Sequence, residues 1–115
     1  MILVPISIGE LVDKISILKI KSERVQDADK LINIQKELKE LLNFNFDHKY
    51  VELKKINEEL WDVEDNIRKK ESKNEFDNEF IELARSVYRL NDKRSLIKKE
   101  INLFYKSDLI EEKSY

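Results

Sequence analysis

Two polar stripes hold most of the residues in this chain that could do chemistry. Asn57, Trp61, Glu64 and Arg68 recur at three- and four-residue steps, and Ala84, Tyr88, Asn91, Ser95, Lys98 and Asn102 do the same further on. That spacing puts each set on one face of a helix. If the two segments fold back about residue 74, Asn57 meets Asn91, Trp61 meets Tyr88 and Glu64 meets Arg85. One reading makes the stripes the polar flank of a helical bundle, hydrogen-bonded to each other and fixing its register. The other makes them a half-buried pocket with Trp61 and Tyr88 as walls, in which Arg85, Arg94 and Lys98 hold a carboxylate or phosphate. The candidate ligand-binding or interface residues are therefore Asn57, Trp61, Glu64, Arg68, Arg85, Tyr88, Asn91, Arg94 and Lys98.

Other chemistries find less material. The run Glu58, Glu59, Asp62, Glu64 and Asp65 has the EExxD form of helical magnesium or manganese sites, with Glu79 and Glu82 as an ExxE partner. In an antiparallel hairpin, however, Arg85 and Arg89 would neutralise it, so no metal and no cofactor is expected. His48 is the only histidine and falls at the start of a helical segment, where a surface role is the ordinary one. There is no cysteine, and the single glycine, Gly9, leaves no phosphate loop and no Gly-x-Ser-x-Gly turn. Catalytic residues stay unknown, and the chain reads as a binding protein more than an enzyme.

The 115 residues hold 22 Lys and Arg against 24 Asp and Glu, a balance that lacks the basic footprint of a nucleic-acid binder. Absence of cysteine suits a reducing cytoplasm. The opening MILVPISI is apolar for only eight residues before charged residues begin, too short for a membrane span and without the basic leader of a secretory signal. One Gly and one Pro leave little for tight β-turns, while Glu, Lys and Leu favour helix.

The elements that must position the stripes follow from apolar spacing and caps. Ser7 and Glu10 form a capping box, with Ile6 and Leu11 as its staple, ahead of Leu11, Ile15, Leu18 and Val25. Ile8, Val12, Ile17 and Ile20 widen that stripe, so the first helix should touch neighbours on more than one side. Asp27 or Asp29 opens a second helix carrying Leu31, Ile34, Leu38 and Leu41. Asp47, with Phe46 and Val51 as staple, opens a third along Leu53, Ile56, Leu60, Val63 and Ile67. Asp77, between Phe76 and Ile81, opens a fourth whose seam runs from Phe80 to Phe104 and is broken once, by Arg94. Lys54 and Lys55 lie nearest Arg94 across the hairpin and cannot pair with it, so a carboxylate partner must come from the first helix or another subunit. The tail SDLIEEKSY has no readable periodicity.

The expected fold is all-α: one domain, residues 1–115, forming an elongated antiparallel bundle of four helices near 8–25, 28–43, 47–72 and 77–106, with a long C-terminal helical hairpin. At about 1.5 Å per residue the last two helices are too long for the first two, paired with each other, to cover their whole seam, so the hairpin either binds a second copy or carries the first two helices end to end. A homodimer is the expected solution to that exposed seam.

The segments SIGELVDKISILKIK, LWDVEDNIRKKE, EFIELARSVYRLNDKRSLIKKEIN and EEKSY resemble a family of small bacterial and phage proteins known only as a domain of unknown function. The likeness spans nearly the whole chain, with Glu10, Asp13, Lys14, Lys21, Trp61, Glu64, Asp65, Arg68, Arg85, Tyr88, Asn91, Asp92 and Arg94 as motif residues. It implies a stand-alone protein and no particular chemistry. The expected function is a small helical module that self-associates or binds a protein partner, in the cytoplasm, without nucleic acid or membrane. The alternative is a binder of, or enzyme acting on, a small anionic ligand held by the polar aromatic stripe.

Overall fold

A computed structural model describes all residues, 1–115, and contains four helices and no strand. These are α1 (Ile8–Arg24), α2 (Ala28–Leu41), α3 (Tyr50–Ser72) and α4 (Asn78–Phe104). Three start on side-chain caps: Ser7 accepts from the Glu10 N–H at 3.1 Å, Asp27 from that of Lys30 at 3.0 Å, and Asp77 from that of Phe80 at 3.0 Å. Each satisfies a donor that the first helical turn leaves orphaned. Only half of the expected capping box at Ser7 forms, because the Glu10 carboxylate pairs with Lys98 instead.

Helix α3 begins at Tyr50, two residues later than Asp47 as its cap would give. Lys49 stands in left-handed backbone at φ 60°, and no side chain caps the helix. Tertiary contacts override the local signal here. Phe46 packs edge-on against Tyr105 at 4.9 Å instead of stapling to Val51, which is exposed. His48, expected as an ordinary surface residue, stacks on Phe104 at 3.7 Å while its backbone N–H donates to the Tyr105 hydroxyl at 2.9 Å.

The two long helices end alike. Asn74 and Lys106 adopt left-handed backbone, and the next residue in each case donates back five positions, Glu75 to the Lys70 carbonyl at 3.0 Å and Ser107 to that of Asn102 at 2.8 Å. This is the Schellman termination, built without glycine. At the hairpin tip Lys70 gathers Glu75, Asp77 and Glu79 within 3.3 Å.

Helix α1 packs on all three others, whereas α2 touches α1 alone. Its breadth of apolar surface explains this. Val12 joins Leu53 and Ile101 in the core, with Ile8, Phe46, Tyr50, Ile97 and Tyr105 packed around them. Leu18, on another side, lines a cleft with Ile34 of α2. α1 therefore lies over the root of the α3–α4 hairpin. The radius of gyration is 15.9 Å, against about 13 Å for a compact chain of this length. No helix is long and apolar enough to cross a membrane.

Candidate functional site

Gly9 determines how closely α1 approaches α4. Its N–H donates to Asn102 Oδ1 at 2.6 Å, and a Cβ at this position would stand 2.5 Å from the Lys98 carbonyl oxygen. One and two turns further along the same face come Asp13 and Ser16, both fully buried. Asp13 receives the Arg94 guanidinium as a two-pronged partner, Nε at 2.9 Å from Oδ1 and Nη2 on Oδ2. Asn57 Nδ2 of α3 donates to the same Oδ1 at 2.9 Å and to Ser16 Oγ at 2.8 Å. Ser16 in turn donates to the Asp13 carbonyl at 2.7 Å. Three helices thus meet at one carboxylate. The hydrogen bond from Arg94 to Asp13 raises the guanidinium pKa above its ordinary value, against the effect of burial.

Lys98, also buried, extends the network outward. Its ammonium lies 2.7 Å from Glu10, 3.1 Å from Glu111 and 3.9 Å from Asp13. The tail, whose sequence has no periodicity, is held back along α4 by these pairs, by Lys99 on Glu112 at 3.0 Å and by the Ile8 N–H on Ser107 Oγ at 3.0 Å. Lys113, first, and Lys98, second, depress the Glu111 pKa to about 2. A carboxylate depressed in the folded state adds stability that is complete above its unfolded value of 4.5 and disappears as pH falls through about 2. A titration of the Glu111 carboxyl carbon by NMR should therefore have its midpoint near 2. A midpoint near 4.5 would mean that Glu111 is paired with neither Lys113 nor Lys98.

Two grooves flank this network, each walled by Asn91 and Arg94. One, of about 430 Å³, has Ile17, Ile20, Leu60 and Trp61 as its apolar lining and Asn57, Glu64, Asp65 and Arg68 as polar company. The other, about 400 Å³, is formed by Val87, Tyr88, Asp92, Ser95 and Lys98 together with Lys113 and Tyr115 of the tail. Six of the nine candidate residues, Asn57, Trp61, Glu64, Arg68, Asn91 and Arg94, therefore share one groove. Tyr88 and Lys98 lie in its neighbour. Arg85 lines neither and pairs with Glu82 one turn back at 3.1 Å. Trp61 and Tyr88 are not two walls of a single pocket, and Glu64 does not meet Arg85.

Across the hairpin, Glu59, Asp62 and Val63 line one depression with Ser86, Arg89, Leu90 and Lys93. The acidic run is neutralised differently from expectation as well. Arg24 of α1 reaches Asp62 at 2.7 Å and Glu58 at 3.8 Å, and its guanidinium lies over the Trp61 ring. No three His, Cys, Asp or Glu side chains stand close enough together to hold a metal ion.

Sequence spacing put Asn102 on the second polar stripe but did not single out Asp13, Ser16 or Glu111 as members of this network. A signal existed for Asp13: it is a charge inside the apolar stripe of α1, as Arg94 is inside that of α4, and two such interruptions on packed helices are natural partners. A family of unknown function, DUF6165, matches residues 2–115 of the chain. No curated protein and no solved structure matches it.

Proposed function

We propose that this chain, which belongs to the family of unknown function DUF6165, is a protein-interaction module that works as a homodimer in the cytoplasm. The observation that supports this is its surface. A compact protein of 13.8 kDa exposes about 6,600 Å², whereas this one exposes 8304 Å². The excess is about twice what each partner buries in an interface of standard size, and within the range of obligate homodimers. Large apolar side chains are exposed on it, including Met1 to Val4, Phe76, Ile81, Leu96, Leu103 and Phe104. Isolated exposed apolar residues are ordinary, but contiguous ones mark an interaction site.

The competing role, capture of a small anion by the stripe, draws less support from the geometry. Each cation it would use is already committed: Arg94 to Asp13, Lys98 to Glu10 and Glu111, and Arg85 to Glu82. An incoming anion would have to displace a carboxylate that is covalently held in place. Light scattering at low and high salt tests the homodimer. We expect twice the 13.8 kDa chain mass, insensitive to salt because the interface is apolar. A single-chain mass at high protein concentration would overturn it.

A further inference from the structure

We infer that the segment Met1–Ile6 is the dimer contact, pairing antiparallel with the same segment of a second copy across a two-fold axis. This rests on the homodimer reading above and names where that dimer is joined. The first nine residues carry no charged side chain, the longest such run in a chain that is 40% charged. Met1, Ile2, Leu3 and Val4 are nonetheless 67 to 92% exposed. None of their backbone N–H groups, nor that of Ile6, has a hydrogen-bond partner within the chain.

The root of the segment is fixed, so its exposure is not that of an unanchored end. Ser7 is buried and caps α1, and the Ile8 N–H is held by Ser107. Pro5 biases Val4 toward extended backbone, and Ile2, Val4 and Ile6 are β-branched, suited to a strand. A lone strand cannot pair its own backbone groups, and an unpaired apolar one is a template for another strand.

A second copy is the occupant that the observations favour. The segment is self-complementary in the sense a two-fold axis requires, apolar against apolar with no side-chain charge to repel its twin. It also leaves the molecule where other exposed apolar residues collect. The start of α1, the loop before α3 and the end of α4 share one end of the bundle, tied by Ile8 to Ser107 and by Phe46 and His48 to Tyr105. Exposed Phe44 and Phe104 belong to these same elements. Paired arms would rest on a surface of their own kind, drawing on the excess area noted above.

Two experiments on the full chain test this. Deleting residues 2–5 should convert the dimer to a monomer with unchanged helical circular dichroism, since those residues are exposed and make no backbone hydrogen bond within their own chain. Because the protein has no cysteine, single-cysteine variants are clean reporters. Among Ile2→Cys, Leu3→Cys and Val4→Cys, at least one should form an intermolecular disulfide more than tenfold faster than Lys73→Cys at the distant hairpin tip. A deletion variant that stays dimeric, or arm cysteines no faster than Lys73→Cys, would overturn the arm contact and leave self-association standing. A monomeric full-length chain would overturn both and leave the arm to a different protein or a lipid surface.

Discussion

Replacing Asp13 with alanine is expected to lower the unfolding free energy by about 3 kcal/mol or more, a fall in Tm of at least about 10 °C for a domain of this size. The reason is the company Asp13 keeps. With the carboxylate gone, Arg94 and Asn57 lose the acceptor that both were using in a fully buried position. Arg94, about a quarter exposed, can recover part of its solvation by extending outward along its stem. Arg94→Met should therefore cost more, because it leaves the Asp13 carboxylate buried with Asn57 as its nearest remaining donor. The double variant Asp13→Leu, Arg94→Met should regain most of the loss, since a buried ion pair replaced by apolar side chains is often neutral. Arg85→Ala and Glu64→Ala, on exposed positions, should change stability by less than about 0.5 kcal/mol. Thermal melts of the five variants decide the matter. An Asp13→Ala protein as stable as the parent would mean that the network does not hold the helices together.

The second large effect is expected at Gly9. In most helix interiors, Gly→Ala stabilises by about 1 kcal/mol. Here the sign should reverse. The new Cβ would sit 2.5 Å from the Lys98 carbonyl oxygen and 3.0 Å from Asn102 Oδ1, so α1 must move away from α4 backbone that cannot yield locally. Overpacking of this kind costs about 1 to 3 kcal/mol, and the shift also lengthens the Gly9 to Asn102 hydrogen bond. Urea unfolding should show a lower midpoint at unchanged slope. A Gly9→Ala protein more stable than the parent would show that the helices are not in close contact there.

Much of the architecture was legible because it is written in short-range signals. Ser7, Asp27 and Asp77 announce three helix starts through one hydrogen bond each, and the breadth of the α1 stripe announces a helix with several neighbours. Arg94 was legible in a different way: a cation in an apolar seam, with only lysines opposite, needs a carboxylate from elsewhere, and Asp13 of α1 supplies it. What escaped depends on contacts far apart in sequence. Nothing local tells Asp47 to yield its capping role, since Phe46 and His48 are drawn to aromatic rings at the end of α4. Tyr88 and Trp61 part into separate grooves because Asn91 and Arg94 wall both of them, a division that helical spacing alone does not reveal. The tail is ordered by Lys98 and Lys99, through ion pairs thirteen residues apart that no helical period can reveal.

The network and the arm divide the molecule between two tasks. Asp13, Arg94 and Asn57 bind α1 to the hairpin root, which leaves the hairpin tip bare and fixes the direction in which Met1–Ile6 departs. The central claim is that the surface so exposed is shared with a second copy. Small-angle X-ray scattering on the full-length chain tests it most directly, reading mass and shape together. The account predicts a forward-scattering mass of two chains and a radius of gyration well above the 15.9 Å of one chain, as for two bundles joined end to end. A single-chain mass with a radius close to 15.9 Å would contradict it.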